Sequence, residues 1–159
     1  MKILSLTLEN FRSIKNMTVN FDGKDVDVLG ANGTGKTTIA NAICWLLIDR
    51  PMTDETDFTP KTEGTHGLNH KASMTVELAD GQHMTLAKDF YEKWTRKRGS
   101  ATEEFTGNVT DYKAKLASQG LSWYESKGLG RVPLETVEEI LGVKIDEASL
   151  VDLEVKENA

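Results

Sequence analysis

The feature that most constrains this chain is an eight-residue run at positions 30–37, which reads Gly-Ala-Asn-Gly-Thr-Gly-Lys-Thr. The run matches the pattern G-x-x-x-x-G-K-[ST] in full. A short apolar segment at 26–29 predicts a buried strand before it, and a helical apolar periodicity follows from Lys36 until Pro51. A strand that enters a glycine-rich loop and leaves it as a helix is the setting in which this motif cradles phosphate groups.

Each residue type in the motif has a physical role in phosphate binding. Glycines such as Gly33 and Gly35 let the backbone curve around phosphate oxygens, so that several N–H groups point inward. The helix N-terminus adds the positive end of its dipole. Lys36 is placed to reach the β- and γ-phosphates, the Thr37 hydroxyl to ligate Mg²⁺, and Thr38 to supply a further hydroxyl. The motif therefore predicts a site for a nucleoside triphosphate with Mg²⁺, without choosing between ATP and GTP.

The composition excludes several classes of protein. A chain of 159 residues, 38% of them hydrophobic, suits one globular domain. Its longest apolar stretch, 42–48, is far shorter than the roughly 18–20 residues of a membrane span. The single cysteine, Cys44, excludes an internal disulfide, and the cytoplasm is the expected compartment. We interpret His66 and His70 as loop residues rather than metal ligands, because no partner stands at ligand spacing.

Most of the remaining pattern predicts strands. Alternating or continuous apolar residues indicate them in the segments 3–11, 17–21, 26–29, 74–78 and 84–90. The last two form a hairpin, and 50–71 is interpreted as a loop. Helices are predicted at 111–118, at 133–142 and, as a short turn, at 146–153. Pro133 suits the first helical position, and Gly142 suits a helix stop.

Motifs in the first half resemble those of a known family. The strand Leu8-Glu9-Asn10-Phe11-Arg12-Ser13-Ile14, a second strand ending Phe21-Asp22, and the G-x-N-G-x-G-K-T loop are similar to the start of an SMC-like ATPase head. That group includes the RecF, RecN and SMC proteins. The segments 92–102 and 104–112 resemble SMC-like ATPases of phages and prophages. The resemblance covers 1–112 and is strongest over 1–49.

The resemblance implies an α/β fold, the phosphate-loop N-terminal lobe of an ABC-type ATPase. This lobe has an antiparallel meander and one helix after the phosphate loop, followed here by a small helical C-terminal segment. ATP and Mg²⁺ are the implied cofactors. The resemblance implies that Arg12 and Ser13 lie near the nucleotide and that Lys61 and Thr62 lie near adenine. It implies phosphate contacts by Asn32, Gly33, Thr34, Gly35, Lys36, Thr37 and Thr38. Thr37 is also the implied metal ligand. The expected domain division is 1–112 for the lobe, 113–131 for a glycine-rich connector, and 132–159 for an acidic helical tail.

Parts that hydrolysis requires in that family are missing from this sequence. A Walker B motif is four apolar residues followed by Asp-Glu. At 143–147 the apolar run is interrupted by Lys144, and at 150–154 the two acids are not adjacent. No Leu-Ser-Gly-Gly signature exists in the sequence. We therefore expect no catalytic residue and no autonomous hydrolysis. A C-terminal lobe or second head is the expected partner, supplying the signature motif and Walker B acids. The predicted function is the ATP- and Mg²⁺-binding half-domain of a DNA-processing ATPase of repair or recombination.

The net charge of −6 lies entirely in the tail, 132–159. One interpretation is an amphipathic helix that packs its apolar stripe, Leu134, Val137, Ile140 and Leu141, on the core. The other is an acidic module that binds a basic surface of another protein. In that alternative the chain is a small phage or mobile-element protein, derived from an ATPase, that inhibits a host nucleic-acid machine.

A second charged segment, Lys88 to Arg98, mixes five cations with three aromatic residues. It has two interpretations. In the first interpretation, the segment contacts DNA or another nucleic acid, with its cations on the phosphate backbone and its aromatic rings on the bases. Alternatively, it is a solvated strand edge whose cations deter pairing with other strands, and this is the interpretation we favour.

Overall fold

The computed structural model of the protein describes residues 2–12, 14–21, 33–48, 59–61, 67–116, 122–129 and 132–145. In chain order the elements within these ranges are β1 (Lys2–Phe11), β2 (Ile14–Asn20), α1 (Gly33–Ile48), β3 (His70–Glu77), β4 (His83–Arg96), β5 (Glu103–Leu116), β6 (Ser122–Leu129) and α2 (Leu134–Leu141). Neither of these helices is long and apolar enough to cross a membrane. The strand predicted at 26–29 and the helix predicted at 146–153 lie outside the described residues.

All six described strands belong to one antiparallel sheet with the spatial order β2-β1-β3-β4-β5-β6. From β3 onward each strand pairs with the next one in the chain, as a meander. The helix α1 lies between β2 and β3 in the chain and packs on β3 and β4. The predicted antiparallel meander with one helix after the phosphate loop is thus present. The described part of the chain is sheet-rich rather than clearly α/β.

One face of the sheet carries the core. Because successive side chains of a strand point to opposite faces, every second residue is buried. The buried side chains of the central strands are Leu6 and Leu8 of β1, Met74 and Val76 of β3, Met84 and Leu86 of β4, and Tyr112 and Ala114 of β5. On the opposite face, threonine hydroxyls pair across strands, with 3.1 Å between the Oγ1 atoms of Thr75 and Thr85. The sheet is therefore apolar toward α1 and polar on its other side.

The helix α1 is buried on more than one side. Every residue from 38 to 47 is buried, including Cys44. The sheet covers one side of α1, and α2 contacts another. A helix enclosed in this way needs apolar residues around most of its circumference.

Residues 111–118 were predicted to form a helix, and this prediction is wrong for 111–116, the part that the structure describes. The strand β5 continues through Leu116 and pairs with β4 along its whole length. Tyr112 and Ala114 are buried while Lys113 and Lys115 are exposed, which is a period of two. Pairing with β4 and burial of every second residue therefore outweigh the helix propensity of alanine and lysine.

A strand also lies in the segment 113–131, which was predicted to be an irregular connector. The strand β6 pairs antiparallel with β5. Near its end, Gly128 has a φ of 69° and donates its N–H to Asp111 Oδ1 at 2.7 Å. Much of the predicted connector thus extends the sheet, while the division of the chain into three domains stays a prediction.

The helix α2 confirms the predicted stop at Gly142. This glycine has a φ of 69° and donates its N–H to the carbonyl of Glu138 at 2.8 Å. Pro133 precedes the helix in an extended conformation, with φ −61° and ψ 143°, so it is the N-cap and not the predicted first helical residue. Three residues of the predicted apolar stripe are buried, namely Val137, Ile140 and Leu141.

Candidate nucleotide-binding site

The helix α1 begins at Gly33, inside the predicted phosphate-binding motif. The first four N–H groups of a helix have no partner within the helix, and they carry the positive end of its dipole. The first turn of α1 contains no acidic residue. Its N-terminus therefore suits an anion such as a phosphate group.

The structure describes only part of the predicted site. Thr38 is buried in α1, and Arg12 lies at the end of β1. Ser13, Asn32 and Thr62 lie outside the described residues, as do the side chains at 33–37, including the predicted metal ligand. The predicted roles of the phosphate-loop residues accordingly stay predictions. Among the residues that the structure does describe, no three His, Cys, Asp or Glu side chains cluster as metal ligands.

The C-terminal end of α1 is held by Lys88, a residue of β4. Its side chain is buried, with an exposed fraction of 2%, and its Nζ donates a hydrogen bond to the carbonyl of Trp45 at 2.5 Å. The same Nζ lies 4.9 Å from the centroid of the Trp45 ring. The last turn of α1 has no basic residue of its own. Lys88 thus supplies the positive charge and the donor that helix carbonyls at this end require.

This position of Lys88 corrects both interpretations of the segment 88–98. Lys88 faces the core, so it is removed from the set of cations available to DNA. The alternative of a solvated strand edge is wrong for 88–90, where β4 is paired with β3 on one side and β5 on the other, but it agrees with the exposure of residues 93–98. Only the residues from 91 onward extend past β3.

The turn after β1, which carries Arg12, has an unusual backbone. Asn10 and Arg12 have φ values of 50° and 53°, in the left-handed region that few residues other than glycine adopt. Hydrogen bonds to residues of two other segments hold this turn. Asn10 Nδ2 donates to Asn69 O at 3.2 Å, His70 Nδ1 lies 2.5 Å from Asn10 O, and Arg12 N donates to Pro60 O at 2.7 Å. His70 is consequently a buried residue of β3, and its predicted loop position is wrong.

Glu92 connects a second segment to this turn. Its carboxylate accepts a hydrogen bond from Lys61 Nζ at 2.8 Å and another from the backbone N–H of Gly67 at 3.2 Å. Only 3% of the Glu92 side chain is exposed. Since Pro60 adjoins Lys61, the two segments that the resemblance places near the nucleotide, at Arg12 and at Lys61, are in contact. Nothing in the sequence pattern distinguishes Glu92 from its charged neighbours, so sequence reasoning missed it.

Aromatic packing links the turn to α1. The rings of Phe11 and Trp45 lie 5.7 Å apart between centroids, and Phe11 is fully buried. Phe11 stands directly before Arg12 in the chain. The turn, the 59–61 segment and the C-terminal part of α1 thus form one packed region.

A family model described as an AAA domain matches residues 5–151 of the chain. The chain belongs to this family. Among curated proteins, this AAA domain is 40% identical over 48 residues to the chromosome partition protein Smc of Mesomycoplasma hyorhinis, a match that covers 30% of the chain and 5% of the relative. It is 31% identical over 83 residues to the DNA replication and repair protein RecF of Lactobacillus johnsonii, covering 49% of the chain and 22% of RecF.

A third match, to RecF of Caulobacter sp., has 50% identity over 44 residues and covers 28% of the chain and 11% of the relative. The chain therefore spans less than a quarter of the length of the relatives named here. The resemblance to the N-terminal lobe of SMC- and RecF-type ATPases is confirmed.

Proposed function

We propose that this chain is the ATP- and Mg²⁺-binding half-domain of an SMC-like ATPase that acts in DNA processing. The observation that carries the proposal is the start of α1 at Gly33, within a complete phosphate-binding motif and without an acidic residue in its first turn. In this proposal the N–H groups of the first turn and Lys36 hold the phosphates, and Thr37 ligates Mg²⁺.

The packing around α1 supports a preorganised site. Lys88 holds the C-terminal end of the helix, and Phe11 packs on its Trp45 ring. A helix fixed at its far end keeps its N-terminal N–H groups in one place, so less ordering is needed when phosphates bind. Arg12, Ser13 and the segment at Lys61 complete the proposed nucleotide surroundings.

The proposal includes a second lobe or head that supplies the signature motif and the Walker B acids. Neither motif is present in these 159 residues. Phosphoryl transfer to water requires a positioned water and further charge stabilisation besides the phosphate loop. The 159-residue chain alone is therefore expected to bind ATP with little turnover. The printed names of the relatives, which concern chromosome partition and DNA replication and repair, support DNA processing as the setting.

Described residues of the tail favour the first interpretation of that segment. The apolar stripe of α2 packs on the core, and Glu135 and Glu139 point to solvent. The remaining acids, at 146–159, lie outside the described residues. The host-inhibitor alternative has no structural observation in its favour, and we retain one proposed function.

Isothermal titration of Mg–ATP into the chain tests the proposal. Lys36→Ala is expected to weaken binding about 10- to 150-fold, since a hydrogen bond to a charged group contributes about 1.5–3 kcal/mol. Lys15→Ala, on the exposed surface of β2, is the matched control and is expected to leave the affinity unchanged. Equal affinities of the wild type and Lys36→Ala would refute the assignment, and brisk ATP turnover by the chain alone would refute the need for a second lobe.

A further inference from the structure

Two strands of the sheet run past their neighbours and form a projecting arm. β3 pairs with β4 only as far as Phe90, and β6 pairs with β5 only from Thr110. Beyond these points the segments 91–96 and 103–109 pair with each other alone among the described strands. Six strand residues span about 20 Å. We call residues 91–109 the arm.

A bulge in the arm places two aromatic rings on the same face. Lys93 pairs with Gly107, but the next pair is Trp94 with Phe105, so the register skips Thr106. Gly107 has a φ of 137° at this irregularity. Because side chains alternate between faces, the skipped residue moves Phe105 to the face of Trp94. The ring centroids lie 5.5 Å apart with an interplanar angle of 56°.

Both rings of this pair face solvent to a large extent. Trp94 is 45% exposed and Phe105 is 48% exposed, and Leu68 is the one other large hydrophobic residue that is exposed in the described part of the chain. The Trp94 indole is also held in orientation, because its Nε1 donates to Glu92 Oε2 at 3.0 Å. Glu92 is in turn fixed by Lys61. The contact between the rings stabilises the arm, but it leaves an oriented aromatic surface uncovered.

The far end of the arm carries an excess of positive charge. Its exposed cations are Lys93, Arg96, Lys97 and Arg98, against the exposed acids Glu103 and Glu104. One of these cations is partly neutralised, since Lys97 Nζ lies 3.4 Å from Glu104 Oε2. Arg96 and Arg98 stand beside the aromatic pair in the chain. Aromatic faces next to cations suit a ligand that carries both planar rings and negative charges.

We propose that the arm binds single-stranded nucleic acid, with a base stacked on the Trp94–Phe105 pair and phosphates at Arg96 and Arg98. Stacking platforms flanked by cations are a general means of holding single strands. In a duplex each base already stacks on its neighbours and offers no free face to an aromatic side chain. The proposal deepens the proposed function, on whose DNA-processing setting it rests, by naming the form of nucleic acid.

Fluorescence anisotropy of a labelled oligothymidylate of about fifteen nucleotides, titrated with the 159-residue chain at low salt, tests the proposal. Trp94→Leu and Phe105→Leu keep an apolar side chain in the arm but remove the aromatic face. Each is expected to weaken binding about 5- to 150-fold. Trp94→Phe is expected to restore most of the affinity. Thr95→Ala, an exposed neighbour in β4, is the control and should bind like the wild type.

The charge contribution is measured separately. Arg96→Ala with Arg98→Ala is expected to reduce the slope of log affinity against log salt by about 1.4, which corresponds to two phosphate contacts on a single strand. Circular dichroism of each variant shows whether the sheet is retained, and Trp94→Phe keeps the test informative if a leucine variant fails to fold.

Several results would overturn the proposal. These are the absence of oligonucleotide binding at low salt, equal affinity for a duplex of the same length, and unchanged affinity in Trp94→Leu. Self-association that Trp94→Leu abolishes, without oligonucleotide binding, would assign the aromatic pair to a protein interface instead. Lys36→Ala distinguishes this inference from the proposed function, because it should lose ATP and keep the oligonucleotide. If the wild type binds the oligonucleotide but not ATP, only the proposed function is refuted. If it binds ATP but not the oligonucleotide, only the inference about the arm is refuted.

Discussion

Replacing Tyr112 with phenylalanine removes a single buried oxygen atom from the core and is expected to stabilise the protein. Tyr112 is fully buried in β5, and its hydroxyl has no hydrogen-bond partner among the residues that the structure describes. Burial raises the pKa of this phenol well above its ordinary value. Its ring packs edge-on against Tyr124 at 5.9 Å and lies 6.0 Å from Lys88 Nζ, contacts that phenylalanine retains.

The magnitude follows from the cost of an unpaired polar group. Burying a hydroxyl without a partner costs about 1–3 kcal/mol. The small loss of packing where the oxygen stood offsets part of that gain, so the net stabilisation is expected to be about 1 kcal/mol. For a chain of this size, 1 kcal/mol corresponds to a rise in Tm of about 2–4 °C.

Urea denaturation measures the difference, with equal m-values required so that the midpoint shift reports stability alone. Tyr124→Phe, a partly exposed ring, is the control and should change stability little. The advantage of Tyr112→Phe should grow at alkaline pH. There the unfolded tyrosine ionises while the buried one stays neutral, so the wild type loses stability as the pH rises through about 10. A Tyr112→Phe variant that is less stable than the wild type by 1 kcal/mol or more would refute the reasoning, because it would show that the hydroxyl is paired.

Three further predictions concern other buried groups. Lys88→Ala is expected to destabilise the protein by about 2 kcal/mol or more in urea denaturation, because a helix carbonyl loses its donor, whereas the exposed Lys93→Ala should have little effect. Burial raises the pKa of Asp89, so its ionisation opposes folding, and Asp89→Asn should raise Tm at neutral pH, with the gain disappearing as the pH falls below about 4. If the higher Tm of Asp89→Asn persisted at acidic pH, the ionisation of Asp89 could not be its cause. Ile140→Ala should cost about 2–5 kcal/mol by opening a cavity under α2, and an effect below 1 kcal/mol would mean that α2 does not pack there in solution.

Local sequence signals predicted the elements that depend on neighbouring residues. The helix after the phosphate loop, the β3–β4 hairpin and the helix stop at Gly142 each follow from a short pattern, namely a motif, an alternation and a glycine. The burial of three residues of the α2 stripe also followed from apolar periodicity. These predictions need no knowledge of which strand pairs with which.

Features set by pairing between distant segments could not be predicted in the same way. The segment 111–116 contains good helix formers, and its pairing with β4 and β6 makes it a strand. A lysine in a charged segment is predicted to lie on the surface. Because side chains of β4 alternate between the two faces of the sheet, Lys88 instead points into the core and contacts the C-terminal end of α1. The role of Glu92 depends on Lys61 and Gly67, which lie 31 and 25 residues away in the chain.

Hydrogen exchange of backbone amides, with and without Mg–ATP, tests the central claim most directly. The first-turn N–H groups of α1, at 33–35, have no partner within the helix and should exchange rapidly in the free protein. The account predicts that Mg–ATP slows exchange there and in the preceding residues of the motif, and that Lys36→Ala removes most of this protection at the same nucleotide concentration. Protection that appears elsewhere on the sheet but not at the start of α1, or no protection at saturating Mg–ATP, would contradict it.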